Sequence, residues 1–167
     1  MASVSSAVDA VAVERASPVV RLASVDVSFP EPNGGVFKAV SDASLDVSAH
    51  EFVAIVGPTG CGKSTLLNCA AGLLKPATGR VEIFGAPLAG LNRNAGYLFQ
   101  QDALMPWKTA RENVALALEI AGVKSSEAHE RAQAWLTRVG LKSFGDRYSH
   151  QLSGGQRKRV GLAQVLI

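Results

Sequence analysis

Apolar and polar positions change rhythm several times along the chain, and each rhythm predicts a different element. Between Val19 and Phe29 the residues Val20, Leu22, Val25, Val27 and Phe29 alternate loosely with polar neighbours, the period of a half-buried strand. The cluster Pro30-Glu31-Pro32-Asn33-Gly34-Gly35 closes it as a turn. A second short alternation covers Ala43–Ser48, with Leu45 and Val47 on one face. Glu51–Val56 differs, because its apolar run is continuous and stops at Gly57-Pro58, which predicts a strand buried on both faces, as in a parallel sheet. Ser64–Leu74 is apolar nearly all round and predicts an internal helix that ends at Lys75-Pro76. Arg80–Phe84 and Ala95–Phe99 read as two further short strands.

The remaining third of the chain is helical by pattern. Thr109-Ala110-Arg111-Glu112 has the spacing of a capping box, and Gly122 stands where such a helix would close. A second helix begins near Ser125 or Ser126 and carries Ala128, Ala132, Trp135 and Val139 as one apolar stripe. A last helix starts at Ser153 and is still running at Ile167.

Composition narrows the class without deciding it. Apolar residues make up 47% and charged residues 19% of 167 positions, which suits a globular domain with a real core. No run approaches the roughly 18 apolar residues of a membrane-spanning helix. A net charge of +3 is too small to imply a nucleic-acid partner. Two cysteines, Cys61 and Cys69, cannot make a disulfide framework and favour a reduced, cytosolic setting. Thirteen of the first seventeen residues are Ala, Ser or Val, and Asp9 and Glu14 break any signal-peptide core, so residues 1–18 are expected to be a disordered tail.

The chemistry concentrates at two glycine-rich points. Gly57-Pro58-Thr59-Gly60-Cys61-Gly62-Lys63-Ser64-Thr65 fits the pattern G-x-x-x-x-G-K-[ST] between a predicted strand and a predicted helix. A triphosphate is a dense anion that needs many converging donors. Glycines let consecutive backbone amides point inward, and the helix that starts here adds its unsatisfied amides and positive dipole end. Lys63 can reach the β- and γ-phosphates, and Ser64 offers a hydroxyl to Mg²⁺. A plain glycine turn is the alternative; the flanking elements argue against it. Cys61 reads as a loop residue whose backbone matters, and Cys69 as a small apolar filler.

The second point is Leu152-Ser153-Gly154-Gly155-Gln156, at the start of the last helix. Ser153 and Gln156 alone would be an ordinary capping box. Gly154 and Gly155 weaken that first turn, and Arg157, Lys158 and Arg159 crowd the positive dipole end where carboxylates are preferred. Such a start makes sense if an anion sits on it.

Together these motifs resemble the ATP-binding cassette ATPase family, whose signature reads L-S-G-G-Q, over about Val19 to Ile167. The resemblance implies an α/β fold: a P-loop NTPase core, an N-terminal antiparallel β subdomain and an α-helical signature subdomain at about residues 101–160. It implies ATP and Mg²⁺ as ligands. It also implies a head-to-tail dimer with a second ATPase subunit, in which Ser153, Gly154, Gly155 and Gln156 contact the γ-phosphate held by the partner. Phe29 looks like the aromatic that stacks on adenine, although a core aromatic is the competing reading. Gln100 looks like the glutamine that reaches Mg²⁺ and the attacking water. The stretch Asp102–Trp107 followed by Glu112-Asn113-Val114 resembles importers of nitrate, sulfonate and taurine-type solutes. Trp107 is there the expected docking anchor for transmembrane permease subunits at the cytoplasmic face, with a buried structural tryptophan as the competing reading.

The family's acidic strand motif (an Asp, then a catalytic Glu) and its switch histidine follow the signature, and the chain stops inside the signature helix. His50, His129 and His150 all precede that point. The expectation is an incomplete nucleotide-binding domain over residues 19–167, lacking the C-terminal part of its core sheet and any complete catalytic set. It would bind Mg·ATP with negligible turnover. Two other readings remain: a soluble cassette ATPase working on nucleic acid or ribosomes, and a non-catalytic regulatory module. No nucleic-acid partner is expected under the leading one.

Overall fold

A computed structural model describes residues 17–100 and 104–167. The tail expected over residues 1–18 therefore lies outside the described residues except for its last two positions. The chain divides into two compact units, one ending at Arg93 and the other beginning at Asn94.

The first unit is built on an antiparallel sheet of four strands in the order β2-β1-β3-β4: β1 Val20–Pro30, β2 Val36–Val47, β3 Thr78–Ile83 and β4 Ala86–Pro87. The three-residue step from Leu22 to Val25, which interrupts an otherwise two-residue rhythm, is a β-bulge. Leu22 pairs with Leu45 and Val25 with Ala43, and Ser24 takes φ 46° to absorb the extra residue. The bulge keeps Leu22, Val25 and Val27 all inward, where they pack with Val81, Ile83 and Cys69. β2 is longer than the Ala43–Ser48 alternation indicated and bulges twice more, at Asp42 (φ 45°) and at Ala39.

Asp26 fastens these irregular strands together. Its carboxylate accepts hydrogen bonds from Lys38 Nζ at 2.8 Å, from the Thr78 hydroxyl at 2.6 Å and from the Asp42 amide at 3.0 Å. Lys38 first, then Thr78 and the Asp42 amide, hold this carboxyl well below the usual carboxylate range.

Helix α1, Lys63–Ala70, packs one face on the sheet through Leu66, Cys69 and Ala70. It is shorter than the Ser64–Leu74 expectation and is not internal all round, since Leu67 and Leu73 are half exposed. Burial raises the Cys69 thiol pKa, in keeping with its role as filler. Glu51–Val56 corrects a firmer expectation: it forms no strand, and Phe52 and Val56 stand 93% and 87% exposed. A strand exists only where a neighbour completes its hydrogen bonds, and none pairs with this run among the described residues.

The second unit packs α2 (Ala110–Ile120), α3 (Ser125–Arg138) and α4 (Gly154–Leu166) around Val114, Ala115, Ala128, Ala132, Leu136, Leu141, Val160 and Ala163. Both capping boxes form. Thr109 N donates to Glu112 Oε2 at 2.6 Å while Glu112 N donates back to Thr109 Oγ1 at 3.3 Å. Thr109's amide and hydroxyl hold the Glu112 carboxyl below its ordinary pKa. In α3 the stripe through Ala128 and Ala132 turns out to be centred on Leu136, with Trp135 at the rim beneath the Arg138 guanidinium, 4.8 Å from its ring centroid. Ala95–Phe99, like Glu51–Val56, forms no strand among the described residues; Gly96 lies against Val165 near the end of α4.

Candidate functional site

The glycine loop belongs to the first unit. Gly60 and Gly62 have φ of 84° and 91°, conformations closed to most side chains. A Cβ on Gly62 would come 2.5 Å from the Ala39 carbonyl oxygen and 3.0 Å from Val40 Cγ2, so the loop leans on the bulge of β2. At Gly57 a Cβ would come 2.7 Å from Cys61 Sγ. Gly62 caps α1 without a side-chain hydrogen bond, and no acidic residue occupies the first turn of that helix. The leading amides of α1 therefore have neither an intrahelical acceptor nor a carboxylate, which is the condition for receiving an external anion.

Lys63 completes the arrangement. Its Nζ donates to the carbonyls of Gly57 at 2.9 Å and Pro58 at 2.6 Å and lies 3.5 Å from Cys61 Sγ, which folds the ammonium over the loop. The side of Ser64 is open to solvent at the same helix end, and Thr59 and Cys61 are exposed beside it. These residues suit a polyphosphate and its hard cation: a ring of amides, one ammonium and one hydroxyl. A groove of about 270 Å³ runs alongside, between Lys63 and β2, lined by Ala39, Val40, Ser41, Ile55 and Leu66.

The second glycine pair and Gln100 belong to the other unit. Ser153 and Gln156 make a reciprocal cap, with Ser153 N to Gln156 Oε1 at 2.8 Å and Gln156 N to Ser153 Oγ at 3.3 Å. Gly154 and Gly155 have ordinary helical backbone, and a Cβ on Gly155 would meet nothing. Lys158 donates to the Gln100 carbonyl, which ties the end of the 95–99 segment to the first turns of α4. Arg157 donates to the Leu152 carbonyl at 2.7 Å.

Two residues that the sequence assigns no role matter here, Asn113 of the Glu112-Asn113-Val114 stretch and Phe37. Asn113 is the buried polar side chain of the α-helical core: it accepts from Met105 N at 2.7 Å and donates to the carbonyls of Met105, Lys108 and Thr109 at 3.2, 3.1 and 2.9 Å. It fixes the loop that presents Trp107, whose side chain is 71% exposed; Asp102 and Ala103 of that stretch lie outside the described residues. An Asn within a predicted helix carries no local sign of such a role. The other is Phe37, the cross-strand partner of Phe29. Among the described residues no helix is long and apolar enough to cross a membrane.

The model of the ABC transporter family matches residues 40–167. The taurine import ATP-binding protein TauB of Mesorhizobium japonicum is 49% identical over 128 residues, covering 77% of this chain and 50% of that protein. The TauB protein of Pseudomonas aeruginosa strain PAO1 is 46% identical over 143 residues, 86% of this chain and 54% of its own length. The chain thus spans about half the length of these curated relatives. A solved dimeric structure of the ATP-binding cassette MJ0796, in a post-hydrolysis state bound to ADP and Pi, superposes with a TM-score of 0.79 at 34% identity. It covers 88% of this chain and 68% of that one. On the family match, the two motifs and the fold, the chain belongs to the ABC transporter family.

Proposed function

We propose that this chain is the Mg·ATP-binding part of the energy-coupling subunit of an importer for a small solute of the taurine, sulfonate or nitrate kind. The observation that carries the reading is the glycine loop: Gly57, Gly60 and Gly62 bare the amides at the start of α1, and Lys63 supplies a cation over them. The taurine import role of the related TauB proteins supports the importer class and its solute.

Each residue has a definite task under this proposal. The amides from Gly60 to Thr65 bind the phosphates, and Lys63 exchanges its carbonyl partners for β- and γ-oxygens. Ser64 would hold Mg²⁺, and Gln100 would orient a water molecule. The ion, when bound, neutralises phosphate charge. Phe29 stacks on the base. Ser153, Gly154, Gly155 and Gln156 meet the γ-phosphate held by a second ATPase subunit in a head-to-tail dimer. Trp107, held out by the Asn113-fastened loop, docks on the permease subunits at the cytoplasmic face of the membrane. A carboxamide such as Gln100 can orient water but cannot take its proton as a carboxylate does, so binding rather than turnover is the activity assigned to these residues.

Calorimetric titration of the purified chain with Mg·ATP tests the proposal. Saturable binding is expected, weakened about tenfold or more in Lys63→Ala through loss of a charge-assisted contact. Equal heats from wild type and variant would remove the loop from the mechanism.

A further inference from the structure

We propose that Phe37 is a second base-binding residue, forming with Phe29 one aromatic surface for the purine ring; this rests on the glycine loop being the nucleotide cradle. Phe29 and Phe37 are direct Cα partners near the end of the β1–β2 pair, and directly opposed residues stand on the same face of a sheet. That face is the one α1 packs on. Val27, two residues before Phe29, is buried there with Cys69 and Leu66 of α1. Both aromatics lie past the edge of that core, Phe29 39% and Phe37 51% exposed.

The hairpin end is firmly held. Glu31 N donates to the Gly35 carbonyl at 2.8 Å and Gly34 N to the Glu31 carbonyl at 3.0 Å. Lys38, whose side chain leaves the opposite face, is fixed by Asp26 at 2.8 Å. The reach is also right. Gly62 rests on Ala39 and Val40 of the same strand, and Phe37 lies two to three residues farther along, about 7–10 Å at strand rise. A triphosphate seated on the loop sends its ribose and base along β2 toward this pair. Two large aromatics left open beside a phosphate cradle fit a flat, apolar, π-faced ligand group, which a purine is.

Stacking depends on ring area and not on the exchange of an amino for a keto group. The surface should therefore prefer purine to pyrimidine nucleotides while separating ATP from GTP poorly.

Isothermal titration of the full chain with two probes decides the matter: Mg·ATP, and Mg·tripolyphosphate, which has no base. Phe37→Ala should weaken Mg·ATP about 5- to 20-fold, as loss of one stacking contact does. Tripolyphosphate binding should stay within about twofold, and Phe37→Trp should restore ATP affinity. Unchanged ATP affinity in Phe37→Ala would overturn the proposal, and so would an equal loss for both probes, which would mark a structural role. If neither probe binds wild type, and Lys63→Ala behaves the same, the cradle itself fails and the aromatic surface with it.

Discussion

The two glycine-rich helix starts look alike in sequence and differ in why they need glycine. At the start of α1 the backbone itself demands it: Gly60 and Gly62 have φ of 84° and 91°, and a Cβ on Gly62 would strike the Ala39 carbonyl. At the start of α4 nothing among the described residues does. Gly154 and Gly155 have helical backbone, and the nearest atom to a Cβ on Gly154 is Arg157 Nη2 at 3.7 Å. The first set builds a cavity from its own strain and packing. The second is a bare helix end that no neighbour among the described residues requires to be glycine. The two helix starts thus carry different structural costs, and substitutions can separate them.

The largest effect is expected at Gly62→Ala. The alanine meets both a left-handed φ and a backbone oxygen 2.5 Å away. Strain at such a position together with overpacking costs about 2–4 kcal/mol, a sizeable share of a domain's total stability. Chemical denaturation should show a lower midpoint with an unchanged slope, and Mg·ATP binding should be lost. A variant of wild-type stability would mean that the contact with β2 is not what shapes the loop.

How much of this was legible beforehand follows the same division between local and distant causes. Helix ends were readable because their determinants lie within four residues: Thr109 with Glu112 and Ser153 with Gln156 both close as capping boxes. The glycine loop was readable because its pattern is contiguous. Glu51–Val56 and Ala95–Phe99 read as strands in sequence but form none among the described residues, since an apolar run states only that a segment could pair and not what it pairs with. The break between Leu22 and Val25 was visible in the spacing, yet only the register identifies it as a bulge. Phe37 has no signal in the sequence, and Asn113 stands out there only as part of the Glu112-Asn113-Val114 resemblance, not for its hydrogen bonds. One matters through a cross-strand register and the other through hydrogen bonds to a loop, and neither leaves a periodic trace.

A smaller effect, dependent on pH, should come from the floor of the cradle. Asp26 spans the β2 segment between Lys38 and Asp42 that contains the Ala39 bulge. Its folded pKa is depressed, so its stabilisation is fully present above the ordinary carboxylate value near 4 and is lost as pH falls toward the folded value. Asp46, held down by Arg21, and Glu112 in the α-helical unit act in the same direction. Thermal unfolding of wild type should weaken progressively below about pH 4. Asp26→Asn should be less stable at neutral pH and show a shallower acid decline, because one of these carboxylates no longer titrates. Parallel pH profiles would show that the Asp26 bonds do not steady the strand beneath Gly62.

The smallest expected effect has the opposite sign. Gly155→Ala places a methyl where nothing lies within 4 Å, on a residue with helical backbone. Alanine lowers the conformational entropy of the unfolded chain and favours the helix. Stability should therefore rise by about 0.5 kcal/mol, less than a mid-helix exchange because the site lies in the first turn. Differential scanning calorimetry would register this as an increase of roughly 1–2 °C. Mg·ATP binding at the chain's own glycine loop should not change. If the first turn of α4 closes over a partner's nucleotide, the same methyl should block ATP-dependent dimer formation by the complete subunit, measurable by size exclusion. A glycine that lowers the stability of its own helix while dimerisation depends on its bareness is retained for contact with another molecule. Should the alanine variant instead lose stability, the bareness of that helix end would have an internal cause, and the contrast with Gly62 would disappear.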